Sequence, residues 1–173
     1  AAPDALTFTG AFGGTAGVGA LTIGSATEVG HAIFTSANGV VATNISVLGG
    51  DNANEDSVAE FQDAITATAV ILNDATGEST IEINATNGAQ TIAGTFNAAS
   101  GGEGTLLITD DDASAAPDLL TFSGQFGASG GIGDIKVGSA TEGGNALFTS
   151  ANAFVATNIT ITGGDNAAED SVA

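Results

Sequence analysis

The chain has 173 residues, enough to bury a core in one domain or in one and a half repeated units. A single Lys, no Arg and one His stand against 20 acidic residues, a net charge of −19 that excludes nucleic acid and anionic membrane surfaces as partners, because phosphate groups are held by Lys and Arg. The absence of Cys excludes disulfides and thiolate metal sites, and no apolar run approaches the roughly 20 residues that cross a bilayer, so direct membrane insertion is not expected.

In chain order, short runs that alternate apolar with small polar residues predict strands at Leu6–Phe8, Leu21–Ile23, Ala32–Phe34, Val41–Val47, Val58–Phe61, Ala67–Leu72, Thr80–Ile83, Gln90–Phe96 and Thr105–Ile108. Between them recur clusters of Gly, Asn, Asp, Ser and Thr, the residues of tight turns. Gly and β-branched residues interrupt every candidate helix, so the expected fold is all-β. With nine Phe and no Trp, Tyr or Met, the expected core is thin and built from small and β-branched side chains.

Residues 1–59 align without a gap to residues 115–173, with about two thirds of the positions identical and a period of 114 residues. The replacements are mild, Val18 by Ile132, Ile23 by Val137, Ile33 by Leu147 and Val47 by Ile161. The expected organisation is therefore a first full repeat unit at 1–114 and the first half of a second at 115–173, drawn from a longer array. Two architectures accommodate it. One is a repetitive parallel β-solenoid, favoured because small residues fill a narrow interior. The other is a string of tandem Ig-like β-sandwiches joined at a linker over 113–117, disfavoured because no Trp and few bulky residues are at hand to fill the space between two sheets.

The segment from Ala59 to Ile108 carries an F-x-x-A-I-T-A-T strand, then I-E-I-N-A-T-N, A-Q-T-I-A-G-T-F and G-E-G-T-L. In these motifs it resembles the Gly-, Ala-, Thr- and Asn-rich repeats of bacterial autotransporter adhesin passengers and rickettsial surface-layer outer membrane proteins. The resemblance implies a β-solenoid displayed on a cell surface.

The acidic turns are the candidate sites. Asp51, Asn52, Glu55 and Asp56 recur as Asp165, Asn166, Glu169 and Asp170, and Asp110, Asp111 and Asp112 mark the junction between units. Calcium takes six to eight oxygens from carboxylates, amides and carbonyls on Gly-permissive loops, so these residues are candidate calcium ligands; the spacing is not that of an EF-hand. Calcium is the one cofactor the sequence suggests. Catalysis has little material: His31 is replaced by Asn145 in the second copy, and Lys136 stands where the first copy has Thr22. An enzyme is not expected. Three N-x-S/T sequences begin at Asn44, Asn84 and Asn158. The expected function is an extracellular structural repeat forming a surface fibre, filament, sheath or S-layer whose partners are copies of itself. The alternative is an adhesin or a calcium-dependent linker module that contacts a host or neighbouring cell surface or a glycan.

Overall fold

The computed structural model describes residues 4–35, 39–111, 116–150, 154–164 and 170–173. Among the described residues thirteen strands follow one another: β1 (Leu6–Phe8), β2 (Val18–Ile23), β3 (His31–Phe34), β4 (Val40–Leu48), β5 (Ser57–Phe61), β6 (Ile65–Asn73), β7 (Ser79–Asn84), β8 (Gln90–Ala98), β9 (Glu103–Thr109), β10 (Leu119–Phe122), β11 (Ile132–Val137), β12 (Asn145–Phe148) and β13 (Ala156–Ile161). Among the described residues there is no helix. Odd strands form one parallel sheet in the order β1-β3-β5-β7-β9-β11-β13, and even strands form the other in the order β2-β4-β6-β8-β10-β12. The chain thus crosses from sheet to sheet at every turn and climbs as a β-solenoid of about six turns. Tandem sandwiches are overturned, because their sheets are antiparallel and every pairing between named strands here is parallel.

Parallel stacking in register turns the alternation of each strand into columns. In the odd sheet one inward column runs Leu6, Ala32, Ala59, Ile81, Leu106, Ile135, Ile159, and a second runs Phe8, Phe34, Phe61, Ile83, Ile108, Val137, Ile161. In the even sheet Leu21, Ile45, Val70 and Phe96 do the same. The expectation of a core without bulk is corrected here. Phe34, Phe61, Phe96, Phe122 and Phe126 are among its largest fully buried side chains. Phe8, Phe34 and Phe61 stack with centroids 4.9 Å apart at each step, matching the strand spacing of about 4.8 Å, so one ring per coil fits a column without strain.

The two copies repeat each other's bonds. Ser25 N donates to Glu28 O at 2.8 Å, and Ser139 N to Glu142 O at 2.7 Å; Gly30 N donates to Ser57 Oγ at 3.0 Å, and Gly144 N to Ser171 Oγ at 3.0 Å. Gly24 and Gly138 both have φ 78°, and a Cβ on either would lie within 2.4 Å of a carbonyl oxygen and a serine hydroxyl of the next coil. Yet the copies occupy opposite sheets. β1 belongs to the odd sheet, while its counterpart β10, nine strands later, belongs to the even one. Because nine is odd, each 114-residue period makes four and a half turns, and the second copy is rotated half a turn about the solenoid axis.

Among the described residues both sheets continue from one copy to the next. β8 of the first unit pairs with β10 of the second, and β9 with β11. The linker expected over 113–117 interrupts neither sheet; residues 113–115 lie outside the described ones.

Candidate functional site

The acidic turn after β4 is closed by its own backbone. Gly50 N donates to Glu55 O at 2.9 Å and Glu55 N to Asn52 O at 3.0 Å. Its carboxylates serve as acceptors for backbone donors that strands leave behind. Glu55 Oε2 takes Asn52 N at 3.3 Å, and Asp56 Oδ1 takes Glu78 N from the next coil at 2.9 Å. Asp51 Oδ1 accepts from Asn52 Nδ2 at 2.7 Å. Asp110 is buried and accepts Asp118 N at 2.6 Å, whereas Asp111 is exposed and accepts Thr86 Oγ1 at 2.6 Å. Asp170 is exposed; Asp112, Asp165, Asn166 and Glu169 lie outside the described residues. Among the described residues no three His, Asp or Glu side chains come together as a group able to hold a metal ion. Asn44 and Asn158 are exposed, but Asn84 is buried and its Oδ1 accepts from Thr86.

One acidic cluster escapes the sequence. Glu60 and Glu82 face each other on β5 and β7, and burial holds the Glu82 carboxyl above its ordinary 4.5, opposed by a hydrogen bond from Thr109 and reinforced by the charges of Glu60, Glu142 and Asp111. Thr109 Oγ1 donates to Glu82 Oε1 at 2.9 Å. These residues are dispersed along the chain and meet only because coils stack.

The larger missed feature is apolar. Among the described residues, and apart from Leu119, the exposed large hydrophobic residues lie at the two ends of the solenoid: Leu6 at one, and Leu147, Val155, Ile159, Ile161 and Val172 at the other. The second group borders a hollow of about 350 Å³ lined by Phe148, Ser150, Phe154, Ile159, Ile161 and Ala173. At the first end Leu6, Phe8, Leu21 and His31 line a hollow of about 210 Å³. In the odd sheet neither end strand, β1 or β13, carries a charge or Pro of the kind that keeps sheet edges from pairing. Lys136 lies exposed on the outward face of β11, in register with Leu107 and Thr160. The signal for the second hollow was in the repeat: Phe148, Phe154, Ile159 and Ile161 are counterparts of Phe34, Val40, Ile45 and Val47, all buried. No protein-family model matches the chain, and no curated protein or solved structure is significantly similar to it.

Proposed function

We propose that the chain is a structural element of an extracellular fibre, sheath or surface layer, a rod lengthened by adding coils. The observation that carries this reading is the uninterrupted seam, where both sheets pass from one copy to the next through β8–β10 and β9–β11 pairing. A hinge would require a stretch without ladder bonds or core, and the columns run through without one. Four and a half coils at about 4.8 Å each give a rise of about 22 Å per 114-residue repeat. Adding one, two and three further repeats should lengthen the particle by that increment each time, as read by small-angle scattering, with a cross-section that stays constant. Increments that shorten, or a distribution of bend angles centred on the seam, would refute the rod.

A further inference from the structure

Asn44 and Ser46 flank the fully buried Ile45 on β4, so both side chains stand on the outward face of the even sheet. Asn44-Ile45-Ser46 is an N-x-S/T sequon with no Pro at its centre. β4 lies between β2 and β6, so the exposure of Asn44 belongs to the interior of a sheet and owes nothing to either end of the solenoid. Its register neighbours are Ala20 on β2 and Ala69 on β6, whose methyl groups leave space on both sides of the amide. No hydrogen bond among the described residues engages that amide. The second copy keeps the sequon as Asn158-Ile159-Thr160, exchanging one hydroxyl for another. There, however, Asp134 stands in place of Ala20 and its Oδ1 accepts from Asn158 Nδ2 at 2.8 Å. The third sequon differs from both, because Asn84 is buried and its Oδ1 accepts from Thr86 N and Thr86 Oγ1.

We propose that Asn44 is an attachment site for an N-linked sugar on the outward face of the even sheet. The donor is a sugar activated at its anomeric carbon by a diphosphate, carried on a nucleotide or a lipid. In the transfer Asn44 Nδ2 forms a bond to the anomeric carbon as the bond from that carbon to the diphosphate oxygen breaks. The diphosphate leaves with the electron pair, and one amide proton passes to a base of the transferase. The Ser46 hydroxyl, on the same face, is the second group that a sequon-reading transferase requires. A sugar on Asn44 stands over the alanines of β2 and β6, whereas one on Asn84 would break the bonds with Thr86 and demand room inside the coil. Asn158 is the slower acceptor, since its amide must first leave Asp134. Because β4 belongs to the even sheet and β13 to the odd one, the two acceptors face opposite sides of the rod. The inference rests on the extracellular part of the proposed function, because sugars in this linkage are carried by exported chains.

The test incubates the folded full chain with a soluble transferase specific for N-x-S/T and a nucleotide-activated hexose, and follows the occupancy of each Asn by peptide mass spectrometry. Synthetic peptides of residues 40–50, 80–90 and 154–164 give the rate of each sequon free of the fold, and each site is scored as its rate in the chain over its rate in the peptide. The ratio at Asn44 should exceed that at Asn84 at least about tenfold, because Asn84 reacts only through local opening. Asp134→Ala should raise the rate at Asn158 about threefold by removing a hydrogen bond to a charged acceptor, and should leave Asn44 unchanged. Ser46→Ala should abolish transfer at Asn44 and spare Asn158. The chain carrying a sugar at Asn44 should keep its circular dichroism melt. A ratio at Asn44 no higher than at Asn84, or a melt lowered by the sugar, would overturn the site. Particles that lengthen by the expected increment while folded Asn44 stays unmodified and its peptide reacts would discard this inference and leave the rod intact.

Discussion

Ile45 and Ile159 share an aligned stretch of sequence, A-T-N-I, and stand on strands of the same backbone course, yet one has no exposed surface and the other exposes more than half of its own. In the first copy β4 lies between β2 and β6, with a coil on both sides; the second copy's β13 has a coil on one side only. Side-chain identity and local conformation are held nearly constant between them, so the difference isolates what a neighbouring coil contributes. Burying an isoleucine is worth about 1.5–3 kcal/mol, and a coil covers several such residues at once. Stability in this molecule is therefore a property of stacking far more than of the single repeat.

Truncating the two isoleucines breaks or confirms that comparison most directly. Ile45→Ala leaves a cavity between Leu21 and Val70 and should cost about 2–5 kcal/mol in denaturant unfolding, whereas Ile159→Ala removes half-wet methyl groups and should cost less than about 1 kcal/mol. Equal losses would mean that the end of the solenoid is covered in solution.

A glycine pair supplies the opposite control. Gly24 and Gly138 share φ 78° and the same close approach to the following coil, so the strain of an added Cβ is local and independent of outer cover. Gly24→Ala and Gly138→Ala should each destabilise by more than about 1 kcal/mol and agree within about 1 kcal/mol of each other. Agreement here together with a split between the isoleucines separates backbone fit from burial.

Much of this architecture is readable in the residues. Thr80-Ile81-Glu82-Ile83-Asn84 announces a half-buried strand by its period of two, and β7 is found at Ser79–Asn84. Every strand anticipated up to Ile108 is present, because alternation is a local property. Which sheet a strand joins is not local. It depends on whether an odd or even number of strands intervenes, so the half-turn between copies is invisible to an alignment that sees only matching residues. The role of Phe was hidden for a related reason: rings such as Phe8, Phe34 and Phe61 lie 26 and 27 positions apart in the sequence and become neighbours only when coils stack in register. The acidic turns were legible as turns, and Glu55 and Asp56 do accept backbone bonds there. The Glu60, Glu82 and Glu142 cluster was not, since its members belong to three different strands or turns.

That cluster gives the smallest effect and the finest version of the comparison between copies. Glu142 closes the Ser139 turn of the second copy as Glu28 closes the Ser25 turn of the first, but only Glu142 lies where its charge acts on Glu82. Burial is the main cause that raises the Glu82 pKa above 4.5, so the folded state binds this proton more tightly than the unfolded chain does. Unfolding then releases protons in the window between 4.5 and the raised value, and the slope of stability with pH is negative there: the contribution of Glu82 grows as pH falls through the window and is lost as pH rises past it. Glu82→Gln should raise stability at pH 7 and flatten this part of the profile, as read by denaturant midpoints between pH 4 and pH 8. Glu142→Gln should narrow the window from above by removing one repelling charge, and Glu28→Gln should leave it where it was. If Glu28→Gln and Glu142→Gln shift the profile alike, the two turns feel the same surroundings, and the half-turn placement of the second copy against β7 is wrong.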